Sequence, residues 1–277
     1  MVSTPSPRPS SRPSTASSAG IATPLLSVEQ VERLYDGSNG GAPTRALAST
    51  TFQVSAGEFI CIVGPSGCGK STLLRILGGL LQPTRGHVYL QGQELTEPRS
   101  EIGYVFQHAN LMPWRTVLHN VALPLQLQKL PKSEVEERAR AAVALVGLEG
   151  FESAYPRQLS GGMAQRAALA RTLVHEPELL LLDEPFGALD AITRERMNLE
   201  LLGIRQSYNY TAVMVTHSIS EAVFLADRVL VLSHRPGRVV NEIVIGLRKP
   251  RTLDLMGSPE FGLLTQELRS AIDPQTF

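Results

Sequence analysis

The chain has 277 residues and a mass of 30.1 kDa, room for one large or two small domains, and a 43% hydrophobic fraction that suffices for a real core. Lys plus Arg and Asp plus Glu each number 26, so there is no global basic field to recruit nucleic acid and no acidic excess that would imply disorder throughout. The two cysteines, Cys61 and Cys68, match neither a metal site nor a disulfide framework, and a reducing compartment is the simpler reading.

Residues 1–24 are rich in Ser, Pro, Thr and Ala, carry Arg8 and Arg12, and lack the apolar stretch of a secretory signal, so they are expected to be a disordered tail. An extended segment follows at 25–35, then a break at Gly37-Ser38-Asn39-Gly40-Gly41 and a second strand around 46–54. Ala56-Gly57-Glu58 turns the chain into a buried strand, Cys61-Ile62-Val63. Behind it stands Gly64-Pro65-Ser66-Gly67-Cys68-Gly69-Lys70-Ser71, a complete Gly-x-x-x-x-Gly-Lys-Ser phosphate loop, and then an amphipathic helix from Leu73. Small residues let successive N–H groups turn onto phosphates while the helix offers its positive end to the same anion. Lys70 is expected to reach the β- and γ-phosphates and the Ser71 hydroxyl to ligate Mg²⁺. Cys68 is either a small packing residue or a redox-sensitive thiol beside Lys70.

Gln82-Pro83-Thr84-Arg85-Gly86 ends that pattern, and strands are expected at 88–90 and at 102–106, the latter ending at Gln107. The middle third changes character: helices at 117–128 and 133–146 meet at Leu130-Pro131-Lys132, with Ser133 and Glu136 reading as a capping box. Strands at 179–182, 213–215 and 229–232 alternate with helices at 191–206 and 220–226, and residues 259–271 read as one further helix. The fold class is α/β, a largely parallel sheet flanked by helices into which the middle helical block is inserted, with no internal repeat. No run approaches the ~20 apolar residues needed to cross a bilayer, so a soluble or peripheral chain is expected.

Four leucines ahead of Asp183 place a carboxylate at the end of a central strand, where a parallel sheet has its ligand crevice. Asp183 is the expected Mg²⁺ partner, and Glu184 beside it can orient and deprotonate a water attacking the γ-phosphate. Leu159-Ser160-Gly161-Gly162-Met163 opens a helix through Arg166 and Arg171 to His175, a second anion site at a positive helix end. One triphosphate has no need of two such ends, so this one is expected to serve a neighbouring subunit.

In these motifs the sequence resembles the ATP-binding-cassette ATPases over residues 25–245. Gln107 after a strand, Ala188-Leu189-Asp190 after the acidic pair, and His217 after Val213-Met214-Val215-Thr216 follow in the family's order. The resemblance implies a P-loop NTPase core with an antiparallel β-subdomain, a helical subdomain inserted at about 108–160, and a C-terminal extension at 246–277. It implies ATP and Mg²⁺ as cofactors, with nucleotide contacts from residues 64–71 (Gly64, Pro65, Ser66, Gly67, Cys68, Gly69, Lys70, Ser71) and from Thr72. It further implies that Gln107 contacts Mg²⁺ and the lytic water, that His217 grips the γ-phosphate, and that Asp190 and Ser160-Gly161-Gly162 act across a head-to-tail dimer. Tyr35 lies where the family stacks an aromatic on adenine, although a tyrosine closing an edge strand also packs.

The segments 106–117 and 216–222 look like those of the ATPase subunits of nitrate, sulfonate and taurine importers, a likeness shared with relatives that carry other solutes. The implied partners are integral-membrane permease subunits, a second ATP-binding subunit, and a periplasmic or lipid-anchored solute-binding protein, with no nucleic acid. The implied location is the cytoplasmic face of the cell membrane. The alternatives are a soluble ABC-type ATPase of another process and a subunit of an exporter. Trp114, the sole tryptophan, either packs in the core or lines the groove that receives a helix of the membrane subunit.

Overall fold

A computed structural model describes residues 24–36, 42–187, 189–208 and 210–272. The disordered-tail expectation for 1–24 and the glycine-rich break at 37–41 fall almost wholly outside the described residues, as does Ala188. Ten strands and eight α-helices follow among the described residues. A four-stranded antiparallel sheet has the order β2-β1-β4-β5, from β1 (Leu26–Tyr35), β2 (Thr44–Val54), β4 (Arg85–Leu90) and β5 (Gln93–Glu94). A six-stranded sheet has the order β10-β9-β3-β8-β7-β6, from β3 (Phe59–Val63), β6 (Ile102–Val105), β7 (Leu179–Asp183), β8 (Thr211–Val215), β9 (Arg228–Leu232) and β10 (Val239–Val244). All its pairings are parallel except β10 on β9.

The central strands are uniform apolar runs because both faces of the sheet are covered. In β3, Ile60 and Ile62 face a core shared with helix α1 (Lys70–Leu77) and the antiparallel sheet, whereas Phe59, Cys61 and Val63 face a second core built with the remaining helices. The same two-residue alternation divides Leu179 and Leu181 from Leu180 and Leu182 in β7.

The inserted block is α2 (Val117–Val121), α3 (Leu123–Leu127), α4 (Lys132–Leu145) and the start of α5 (Gly161–Leu173). Two expectations fail here. The single helix at 117–128 is two short helices, because Pro124 brings no N–H to continue the ladder and sits where α3 restarts. The Ser133–Glu136 capping box does not form: Pro131 is the N-cap, so the helix has already begun at Lys132, and Glu136 instead binds Arg140 one turn on. The expected helix at 259–271 is α8 (Pro259–Ile272), and helices α6 (Ala191–Tyr208) and α7 (Ile219–Leu225) separate the last parallel strands. Strands β5 and β10 were not expected: β5 is Gln93-Glu94 with no apolar residue, and the four apolar residues of β10 are split by Asn241-Glu242.

Asp227 holds the entry end of the sheet together. It accepts the Phe59 N–H at 3.0 Å, pairs with Arg205 of α6, and lies 2.7 Å from Lys249 Nζ. Burial works to raise its carboxyl, but the bonds from Arg205, Lys249 and Phe59 prevail and hold it down to about 2. A depressed acid stabilises the fold above its ordinary titration range and loses that contribution as pH falls toward the folded value. Asp227→Asn is therefore expected to lower stability at pH 7 by about 1–2 kcal/mol after allowance for partial solvent screening. In urea melts the gap to wild type should narrow as pH drops from about 4 toward 2; a gap independent of pH would contradict the assignment.

Candidate functional site

The phosphate loop bridges the end of β3 and the start of α1. Gly69 is the N-cap of α1 at φ 110°, a left-handed conformation that side chains rarely adopt, and no side chain caps the helix. The first-turn N–H groups thus open onto a cleft of about 260 Å³ lined by Ser66, Gly67, Gly69, Lys70, Ser71, Thr72 and Glu184. Lys70 is buried, with Nζ donating at 2.9 Å to the carbonyls of both Gly64 and Pro65. This keeps an ammonium at the base of the loop, within reach of any anion the amides receive.

Asp183 closes the floor. Its Oδ1 accepts the Ser71 hydroxyl at 2.8 Å, and its Oδ2 accepts the Tyr104 hydroxyl at 3.3 Å. Burial and the neighbouring Asp183 charge push the Tyr104 phenol up, so it remains a donor. Glu184 diverges from Asp183 because its backbone lies at φ 45°, in the left-handed region, and its N–H bonds Val215 O at 3.0 Å. Its Oε2 accepts Gln107 Nε2 at 3.3 Å and lies 3.4 Å from His217 Nδ1. Three residues distant in sequence thus meet at one carboxylate oxygen beside the loop.

The remaining site expectations separate. Tyr35 ends β1 with its hydroxyl 3.4 Å from Thr72 Oγ1, and the Arg33 guanidinium stands 4.9 Å from its ring centroid. Cys68 is 1% exposed in the core beneath the loop, and burial raises its thiol against the opposing Lys70 charge, which favours the packing reading over a redox-sensitive thiol. Ser160 caps α5 by accepting Met163 N at 3.3 Å, yet Ser160, Gly161 and Gly162 do not line the cleft. A Cβ at Gly162 would stand 3.3 Å from Thr193 Cγ2, so this helix end packs beside the start of α6. There Asp190 accepts both the N–H (3.0 Å) and the hydroxyl (2.7 Å) of Thr193, bonds that hold its carboxyl below the usual range.

Several neighbours were not legible as site residues. Gln165 is buried on α5 and donates to Phe106 O at 3.1 Å, fixing the backbone just ahead of Gln107. Glu221, buried in α7, accepts from Thr216 Oγ1 and faces Arg194 Nε at 3.6 Å, while Arg194 also donates to Leu189 O at 2.8 Å. That chain of contacts ties the segment before His217 to the segment before Asp190. Burial pushes Glu221 up, opposed by Thr216 and Arg194. The one local signal was Ser218 three residues before Glu221, since the Ser218 hydroxyl does accept Glu221 N. Gly237 had no local signal. Its N–H and carbonyl bond Ala46 and Ala48 of β2, and a Cβ there would come 2.1 Å from Cys68 O. Backbone from β2 and from the turn after β9 therefore presses directly on the underside of the phosphate loop.

Comparison with known proteins shows the family. The family model described as ABC transporter matches residues 47–187. The nitrate import ATP-binding protein NrtD of Synechocystis sp. is 44% identical over 253 residues, covering 89% of this chain and 94% of that protein. The aliphatic sulfonates import ATP-binding protein SsuB 2 of Burkholderia cenocepacia is 45% identical over 242 residues, covering 87% and 86%. Among solved structures, a dimeric post-hydrolysis ATP-binding cassette bound to ADP and Pi superposes with a TM-score of 0.72 at 33% identity, over 81% of this chain and 100% of that one.

Because Gly237 leaves no room for a methyl group against Cys68 O, Gly237→Ala must shift the phosphate loop or β2. Overpacking of this kind costs about 1–3 kcal/mol, so, where the strain falls on the loop, nucleotide affinity should fall by up to roughly five- to 150-fold while the protein stays folded. Titration with a fluorescent ATP analogue reads this out, and unchanged affinity would mean the contact does not support the loop.

Proposed function

The chain belongs to the ABC transporter family, and we propose that it is the ATP-hydrolysing, energy-coupling subunit of an importer for a small anionic solute of the nitrate or sulfonate kind. The observation that carries the reading is the convergence of Gln107 and His217 on Glu184 Oε2 at the edge of the phosphate-loop cleft.

Lys70 and the amides of residues 64–72 bind the triphosphate. The Ser71 hydroxyl, Asp183 and Gln107 are the groups that would hold Mg²⁺, and the partly buried Ser71–Asp183 pair suits a hard cation that takes oxygen donors. When bound, that ion neutralises charge on the phosphates. Glu184 accepts the proton of the attacking water, Gln107 orients the carboxylate and the water, and His217 donates toward the γ-phosphate from the far side of Glu184. Tyr35 offers its ring to the base at the open end beside Thr72.

Ser160, Gly161, Gly162 and Asp190 act on the nucleotide of a second subunit. Their absence from the cleft lining supports this reading, and so does the dimeric form of the similar cassette. On the helical block, Trp114 is 73% exposed, which leaves the groove-lining reading for it over core packing. A groove lined by Leu118, Ala122, Leu130 and Val135 lies on the same block and suits an amphipathic helix of a permease subunit. A solute-binding protein outside the membrane completes the system, and the cassette works at the cytoplasmic membrane face. No helix among the described residues is long and apolar enough to cross a membrane.

Glu184→Gln removes the base while Asp183, Lys70 and Ser71 remain. Hydrolysis by the assembled complex should fall by about 10²–10⁴-fold with ATP affinity retained, and an ATP-bound dimer should accumulate on size exclusion. Near-normal turnover would sink the assignment. The trans role has its own test. Ser160→Arg should bind ATP as a monomer yet fail to dimerise or hydrolyse, and mixing it with Lys70→Ala should restore one sound composite site. Normal ATP-dependent dimerisation and turnover by Ser160→Arg alone would return α5 to an ordinary capped helix.

A further inference from the structure

The entry end of the parallel sheet, opposite the nucleotide cleft, holds a group of cations that ATP hydrolysis does not use. A cavity of about 210 Å³ is lined there by Gly57, Leu202, Arg205, Gln206, Lys249 and Arg251. Arg205, in the last turn of α6, donates to Gly57 O at 2.8 Å and pairs with Asp227. Lys249 lies 2.7 Å from the other Asp227 oxygen. Arg251 spends its terminal nitrogens on the carbonyls of Val223, Phe224 and Ile245. Asp227 is the one carboxylate paired with any of these three cations among the described residues, which leaves an excess of two positive charges around the cavity.

Arg251 is 6% exposed, and its Nε–H is buried with no hydrogen-bond partner among the described residues. Burial pushes its guanidinium down, Arg205 adds to that, and Asp227 opposes it. A buried guanidinium with an unpaired donor and a cationic neighbour is unfavourable, since both desolvation and like-charge repulsion act on it. The Nε is closed to water, so solvent relieves neither the donor nor the charge.

We propose that this corner is a binding site for a small dianionic oxyanion of the sulfate or hydrogen phosphate class, held by Arg205 and Lys249, with the buried Arg251 guanidinium as the charged wall behind them. Guanidinium groups suit such ligands because their planar N–H donors match the spacing of oxyanion oxygens. The excess charge equals that of the ligand, and the Gln206 amide supplies a further donor at the rim. The cavity has the volume of several waters, which admits a tetrahedral oxyanion. This site stands independently of the import reading, because none of its residues touches the nucleotide cleft.

The test is an NMR titration of the full chain with sodium sulfate and sodium phosphate, at ionic strength matched with chloride and with the nucleotide cleft saturated by ADP. The readout is the Arg251 Nε–H resonance, assigned through Arg251→Lys. Sulfate and hydrogen phosphate should shift it saturably, and Lys249→Gln should weaken that binding roughly tenfold or more without altering ADP affinity. Nitrate and ethanesulfonate, as monoanions, should bind more weakly. The proposal is overturned if neither dianion gives a saturable shift, if Lys249→Gln leaves the titration unchanged, or if the monoanions bind as tightly. Should Arg251→Lys not fold, selenate soaked into crystals of the wild-type protein can be located by anomalous scattering. Its absence from the cavity would overturn the proposal equally.

Discussion

The parallel register of β6, β7, β8 and β3 is the constraint on which the site depends. Val105 stands opposite Leu182, Asp183 opposite Val215, and Ile62 opposite Val215, so four strands end at nearly one level. The residues that follow each end are Phe106-Gln107, Glu184, Thr216-His217 and the phosphate loop. A parallel sheet must send its chain out at that edge four times, and each exit delivers a different functional group to the same few ångströms. Strands β3, β7 and β8 are buried on both faces, so slipping one by a residue would drive its side chains into the wrong core and carry the residues that follow it to the wrong level. Packing energy thus guards the catalytic geometry without any contact between the core and the substrate.

Adjacent carboxylates in this arrangement take opposite tasks. Asp183 is still part of β7 and points to the Ser71 and Tyr104 hydroxyls, whereas Glu184 leaves the strand through a left-handed residue and points to Gln107 and His217. That conformation is uncommon for a residue with a side chain and costs about 1 kcal/mol or more. It is held by the Glu184 N–H bond to Val215 and by the turn in which Gly187 N–H bonds Glu184 O. Strand geometry alone sends successive side chains to opposite faces, and the left-handed turn is what brings the second carboxylate back over the cleft instead of burying it.

Much of this was legible because it is local. The phosphate loop, the leucine run before Asp183 and the strand before His217 each declare themselves within about ten residues, and the family resemblance orders them. What was not legible depends on residues far apart in sequence. Gly237 matters only because the turn after β9 lies against Cys68 O, and no pattern around Gly237 says so. Glu221 resembles an ordinary first-turn acid until Arg194 is placed against it. The exposed capping signal at Ser133 misled for the converse reason, since a proline two residues earlier had already set the start of the helix. Similarly, the apolar spacing across 117–128 is helical throughout, but Pro124 interrupts the backbone bonds that the spacing presupposes.

The Glu184 side chain is held less firmly than the polar groups at the entry end of the sheet, and the difference suits its task. At the entry end, Asp227 gathers a guanidinium, an ammonium and a backbone N–H, and Arg228 binds Glu58 and Glu242 together, in contacts mostly of 3.0 Å or less. At the exit end, the contacts at Glu184 are 3.3 and 3.4 Å. Weakly held groups reorganise at little cost when a charged ligand arrives, whereas a tightly paired carboxylate would have to surrender bonds first. Helix α6 joins the two regimes, with Asp190 just ahead of its first turn and Arg205 in its last. A rigid helix anchored through Arg205 to the well-paired end gives the residues at its other end a fixed base. That base fixes Asp190, through its bonds to Thr193, beside the start of α5.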